Sequence, residues 1–186
     1  HITDKKRRTY AAMVSAVDRG VGEIVRVLKE LNQFDNTLII FLSDNGGKLT
    51  AGANNTPLRG GKGDTWEGGV RTPMFFHWPG HIPSEHVYKY PVTAIDFYPT
   101  FAALAGAKIP DGKILDGKNI WDYIINDRPA HKGEMIYTIR HRLYWHDMGA
   151  RRDQWKITRI GKNGDRQNPW GLYNVYDDPG ETKNLR

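Results

Sequence analysis

The chain has 186 residues, 39% hydrophobic, 11% aromatic and 26% charged, a balance that supports a packed core and excludes a disordered or fibrous chain. Its formal net charge is +6, which suits an anionic partner. With no cysteine, these residues exclude a disulfide framework, a thiolate zinc site and a thiol nucleophile, and no apolar stretch approaches the length needed to cross a bilayer.

Residues Asp4 to Leu31 carry Tyr10, Met13, Val14, Val17, Val21, Ile24, Val25, Leu28 and Leu31 at three- and four-residue steps, which predicts an amphipathic helix. Thr3 or Asp4 can cap it. The basic run Lys5-Lys6-Arg7-Arg8 reads as its solvated start, and no nucleic-acid motif accompanies it. Gly20 and Gly22 suggest close packing. After a loop at Asn32–Asn36, the apolar run Thr37–Leu42 predicts a buried strand. Residues Gly46 to Gly69 hold eight glycines with little apolar periodicity, and a loop of that length beyond a strand end reads as functional. Met74–Trp78 predicts a second strand stopped by Pro79-Gly80, and Val92–Gly106 a short helix with Asp96 as candidate N-cap and Gly106 as stop. Asn119–Ile125 predicts another short helix. Beyond Arg128-Pro129-Ala130 the texture becomes short, aromatic and strand-like, at Met135–Ile139, Leu143–Trp145, Gln154–Thr158 and Gly171–Asn174. The division expected is residues 1–128 as α/β and residues 129–186 as a small antiparallel-sheet subdomain.

The most informative stretch is Ser43-Asp44-Asn45-Gly46-Gly47, directly after the first strand. Ligands in open α/β sheets bind at the carboxyl ends of strands, and a carboxylate beside an amide oxygen is hard-oxygen chemistry suited to Ca²⁺ or Mg²⁺. An ordinary Asp-Asn-Gly turn fits the local pattern as well. Lys62, in Leu58-Arg59-Gly60-Gly61-Lys62-Gly63, reads either as a solvated lysine or as a cation for an anionic substrate. Glycine neighbours favour the second, because they let backbone and ligand approach. Arg59 and Arg71 read as structural ion pairs. Neither His77/His81 nor His141/His146 has a spacing that aligns two ligands on a helix face. Asn54-Asn55-Thr56 is formally a glycosylation sequon, followed by Pro57.

These motifs resemble the C-terminal portion of a type I, formylglycine-dependent sulfatase within the alkaline-phosphatase-like superfamily, of arylsulfatase or N-acetylgalactosamine-sulfatase type. The resemblance runs from Arg8–Val14 through the Ser-Asp-Asn-Gly-Gly block, Leu58–Gly63, Glu67–Pro73, Trp78-Pro79-Gly80, Asp96–Thr100 and Asp116-Gly117 to the tail Leu172–Leu185. Each motif alone is weak; their order and spacing are specific. The resemblance implies an α/β fold: the C-terminal part of a mixed sheet with flanking helices, plus the small antiparallel subdomain. It implies that Asp44 and Asn45 ligate Ca²⁺, with two upstream aspartates and the formylglycine completing the site. It implies that Lys62 contacts the sulfate of a sulfated small molecule or glycan, and that the protein is periplasmic, secreted or lysosomal.

The sequence departs from a complete member by lacking what the family's N-terminal half carries, its upstream aspartate pair and catalytic histidine included. The family's nucleophile motif, Cys or Ser followed by any residue, Pro, Ser and Arg, is absent; only His81-Ile82-Pro83-Ser84-Glu85 comes near it, with His and Glu at the chemical positions. His1 matches no catalytic position of the family. The expectation is therefore a sulfatase fragment, inactive alone, whose missing N-terminal half is its natural partner and whose cut sheet favours self-association. A phosphodiesterase or phosphonate hydrolase of the same superfamily, or a non-catalytic anion-binding domain, is the alternative.

Overall fold

A computed structural model describes residues 2–142, 145–161 and 169–186. Helix α1 spans Lys5–Glu30. Four cationic side chains crowd its N-terminus, where the backbone N–H groups already concentrate positive potential. Asp4 offsets this as the N-cap, its Oδ1 accepting from the N–H of Arg7 at 2.6 Å. The basic run is only partly solvated: Arg7 Nη1 donates to the carbonyl of Gly52 at 3.0 Å and Lys6 Nζ to that of Thr50 at 3.4 Å. These bonds tie the helix start to the glycine-rich loop. No residue of α1 is buried among the described residues, and Met13 is 65% exposed. Nothing lies within 4 Å of a Cβ built at Gly20 or Gly22, so neither glycine serves the close packing expected of it.

Strands β1 (Ile39–Leu42) and β2 (Met74–His77) pair antiparallel, Leu42 opposite Met74 and Ile39 opposite His77. β1 is half-exposed rather than buried, because only β2 pairs with it and no layer covers its outer residues among the described residues. A 3₁₀ turn at Ala94–Asp96 leads into α3 (Phe97–Leu104), after the four-residue α2 (Glu67–Val70). Asp96 holds the N-cap position of α3 but makes no side-chain cap hydrogen bond there, and Thr93 caps the preceding turn. Asp96 supplies the third position of a capping box and accepts from the N–H and Oγ1 of Thr93, both at 2.9 Å. Its buried carboxylate also accepts from the N–H of Lys118 at 3.1 Å and lies 2.8 Å from Nε2 of His131. Helix α4 (Trp121–Ile125) contributes Ile124 to a small core with Ile120 and Ala130, against which Phe76, Tyr88, Val92 and Tyr123 pack.

Strands β3 (Met135–Arg142), β4 (Trp145–Arg152), β5 (Trp155–Arg159) and β6 (Gly171–Asn174) form an antiparallel meander in sequence order. The expected strand at 143–145 is partly realised, β4 beginning at Trp145; Leu143 and Tyr144 lie outside the described residues, as does His1. Alternation divides the side chains between two faces. One face carries Arg140, Asp147, Arg151, Lys156, Thr158 and Tyr173 and lies on the glycine-rich segment; Thr65 and Thr158 join their hydroxyls there at 2.9 Å. The opposite face carries Tyr137, Ile139, Trp155 and Ile157, with Tyr137 68% and Ile139 69% exposed.

Candidate functional site

The chain leaves β1 at Leu42 and is held in line for one more residue by Ser43, whose N–H donates to the carbonyl of Pro73 at 3.2 Å. Asp44 and Asn45 follow directly, at the strand end where the sequence places them. The next residue has no room for a side chain: a Cβ on Gly46 would lie 1.7 Å from the carbonyl oxygen of Gly68, and the Gly46 N–H donates to Gly69 at 2.9 Å. The two ends of the glycine-rich segment are thus laced together across the strand end.

Lys62 returns to the same place by its backbone. Its N–H donates to the carbonyl of Gly47 at 3.1 Å. Asn55 reinforces the junction: its Oδ1 accepts from the N–H of Gly47 at 3.0 Å, while its Nδ2 donates to the carbonyls of Gly47 and Gly60, each at 3.0 Å. The Gly61–Asp64 turn closes on itself, Asp64 N–H to Gly61 carbonyl at 2.9 Å and Gly61 N–H to Asp64 Oδ2 at 2.8 Å. Lys62 therefore sits on a small loop held by these bonds, its own N–H joined to the residue two beyond Asn45.

The side chains here have few protein partners. Asp44 and Lys62 are exposed, and neither the Asp44 carboxylate nor the Lys62 ammonium bonds to a described residue. Asn45 donates through Nδ2 to the carbonyl of Gly46 at 2.9 Å, which leaves Oδ1 as its unused oxygen. A carboxylate and an adjacent amide oxygen, both unengaged, are the donor types Ca²⁺ takes. Two donors are fewer than Ca²⁺ takes, and among the described residues no three His, Cys, Asp or Glu side chains gather into a metal cage.

The other residues singled out in the sequence fall into structural roles. Arg59 forms no ion pair among the described residues. Its guanidinium lies 3.8 Å from the centre of the Trp66 ring and donates to the carbonyl of Glu181 at 3.2 Å. Arg59, Trp66, Tyr173 and Asn184 line an open cavity of about 350 Å³ that neither Asp44 nor Lys62 borders. Arg71 does pair, with Glu67 at 3.9 Å. His141 and His146 face each other across the β3–β4 hairpin with rings stacked at 4.4 Å, a proximity that helical spacing could not anticipate. His77 packs beside Phe34, and His81 on Trp78.

Beneath the glycine-rich segment lies a buried ionic cluster. Lys156 Nζ is 2.9 Å from both Glu67 Oε1 and Glu181 Oε1, and Glu67 N–H donates to Glu181 Oε2 at 2.6 Å. Arg151 approaches Glu67 at 3.8 Å. Burial pushes the Glu181 carboxyl above its ordinary value, against the pull of Lys156. The cluster joins α2, β5 and the C-terminal tail, so the loop bearing Lys62 rests on a charged floor. Asn55, Arg140, Asp147 and this cluster have no local sequence signal, because each acts through contacts distant along the chain.

Among solved structures the chain resembles Ps i-CgsB, crystallised in complex with k-i-k-neocarrahexaose, at 53% identity and TM-score 0.92 over 99% of this chain and 40% of that one. It also resembles the PsFucS1 sulfatase from Pseudoalteromonas sp., at 30% identity and TM-score 0.73 over 94% of this chain and 37% of that one. These likenesses define a member of the alkaline-phosphatase-like α/β fold. Within that class the chain belongs to the sulfatase family. Residues 2–107 match the family model described as Sulfatase, and residues 62–186 match N-sulphoglucosamine sulphohydrolase, C-terminal. A sulfatase of Formosa agariphila is 35% identical over 95% of this chain and 35% of its own length. Arylsulfatase J of Mus musculus is 39% identical over 74% of this chain and 23% of its own length. The chain thus spans about a quarter to two fifths of the proteins it matches.

Proposed function

We propose that this chain provides the metal-binding strand end and the sulfate clamp of an enzyme that hydrolyses sulfate esters on an oligosaccharide. The observation that carries the reading is the set of unengaged groups on one bonded framework: the Asp44 carboxylate, Asn45 Oδ1 and the Lys62 ammonium, joined through the Lys62 N–H to Gly47 bond. Asp44 and Asn45 would hold one side of a calcium ion. Lys62 would neutralise sulfate oxygens as the S–O bond to the sugar breaks, a contribution that grows with charge in the transition state. A formylglycine hydrate from outside these residues would supply the attacking oxygen, and calcium would act as Lewis acid and template. The net reaction would consume one water for each ester and give the free alcohol and inorganic sulfate. The neocarrahexaose bound to Ps i-CgsB makes an oligosaccharide of that kind the first substrate to try.

The test uses the full-length enzyme carrying this sequence, with release of sulfate from k-i-k-neocarrahexaose and from an aryl sulfate. Lys62→Ala should lower kcat by about 10²–10³-fold, the loss expected for one preorganised oxyanion donor. Asp44→Ala should lower activity at least as much and reduce bound calcium. Wild-type turnover and metal content in both variants overturn the reading. Residues 1–186 alone should show no turnover with or without calcium, since they contain no nucleophile motif. Their exposed apolar surface on α1 and β3 should drive self-association, read by mass in solution.

A further inference from the structure

Lys62 is carried by a loop, yet a clamp needs a fixed position. We infer that Arg140 is a positioning residue for Lys62, holding its loop from the β3–β4 hairpin with Asp147 as its own anchor; this rests on the sulfate-clamp reading above.

The geometry is specific. Arg140 Nη1 donates to the carbonyl of Gly63, the residue after Lys62, and lies 3.2 Å from Asp147 Oδ2 and 3.8 Å from Asp64 Oδ1. Asp147 stands directly across the hairpin from Arg140 and is 1% exposed, so the guanidinium is held by a charge that cannot turn away into water. Gly63 makes the approach possible: its φ is +94°, and a Cβ there would stand 3.2 Å from the Arg140 Cζ, displacing the guanidinium. The Lys62 main chain is thus pinned on both sides, by Gly47 on its own N–H and by Arg140 on the following carbonyl. Without Arg140 the carbonyl of Gly63 loses that contact, and the turn can rotate about its remaining bonds. Displacement of a clamping group by about 1 Å is enough to cost on the order of 10²-fold in rate.

The test is a double-mutant cycle in the full-length enzyme. Arg140→Ala should lower kcat by about ten- to a hundredfold in the wild-type background, and by less than about twofold in the Lys62→Ala background. Arg140→Lys, which keeps the charge and can reach the same carbonyl, should restore most of the activity. Asp147→Asn keeps the side-chain shape but releases the guanidinium, and its loss should likewise vanish once Lys62 is gone. That variant and Arg140→Lys carry the test if Arg140→Ala does not fold. Equal losses in both backgrounds mean Arg140 only supports the fold, and that overturns the proposal. A full Lys62→Ala effect beside unchanged Arg140 and Asp147 variants overturns it as well, leaving the clamp reading standing. An unchanged Lys62→Ala enzyme overturns the clamp reading itself and the positioning role with it.

Discussion

The two ends of this molecule handle apolar surface in opposite ways. In the N-terminal region, α1 and β1 follow the usual hydrophobic patterns but leave much of that surface open, with Val14, Val17 and Ile24 each more than half exposed. In the C-terminal sheet the buried face is the polar one: Asp147, Lys156 and Thr158 are covered, while Tyr137, Ile139 and Trp155 face outward. A buried ion pair adds little stability over apolar packing, while its directional contacts constrain the partners to one arrangement. The buried face of this sheet touches Gly63, Thr65, Trp66 and Glu67, the segment that follows Lys62. The sheet's covered surface serves register and placement of that loop more than bulk hydrophobic cohesion.

The largest effect should come from the centre of the polar face. Lys156→Met removes the cation that contacts both Glu67 and Glu181, leaving two buried carboxylates facing each other. Loss of one member of such a buried pair costs about 3–5 kcal/mol, to be read from urea unfolding of the purified chain. A loss below about 1 kcal/mol would show that the cluster is solvated, and would remove the contrast between the two regions.

A smaller and graded effect is expected with pH. Glu181 binds its proton more tightly folded than unfolded, because burial disfavours its charged form. Its contribution is therefore fully present below the unfolded value of 4.5 and is lost as pH rises through the folded value. Glu181→Gln has nothing to ionise there. Its Tm relative to the parent chain should climb as pH is raised from 4.5 towards neutrality. A difference that stays flat, or falls, contradicts the direction assigned to this group.

The smallest effect belongs to the outer face. Ile139→Lys places a charge on the sheet, an equally drastic change on paper, yet Ile139 has almost no cover to lose. Stability should move by no more than about 0.5 kcal/mol. Self-association of the chain should weaken, read by sedimentation. A large destabilisation would mean that this face is packed in solution.

Much of this contrast could not be read from the residues. Helix α1 and strands β1, β2, β3, β5 and β6 are legible because their periodicity is long or their aromatic content high, whereas β4 shares only Trp145 with the strand expected there, since His146–Arg152 is mostly polar and carries a glycine. Alternation in Trp155-Lys156-Ile157-Thr158 tells that two sets of side chains oppose each other, but not which set is covered. The covered set is decided by Thr65 and Glu67, about ninety residues away. The candidate site divides in the same manner. Asp44 and Asn45 are recognisable because a strand end and its ligand types are contiguous, and Lys62 because glycines surround it. Arg140 is an unremarkable arginine in a strand until the hairpin folds onto Gly63. Asp96 is legible as the N-cap position of α3, but its carboxylate turns instead to Lys118 and His131, partners that local cap chemistry does not include.

The lacing at Gly46 has a consequence for how the protein ages. Asn45-Gly46 is the dipeptide most prone to spontaneous deamidation, in which the glycine nitrogen attacks the asparagine side-chain carbonyl and closes a succinimide. Here that nitrogen donates to Gly69 and its residue is buried, while the asparagine amide is turned onto the Gly46 carbonyl. The attacking atom is occupied and cannot swing towards the side chain without breaking the strand-end junction. Chemical damage to Asn45 is therefore coupled to unfolding: the native chain preserves its candidate ligand, and each excursion to the unfolded state exposes it.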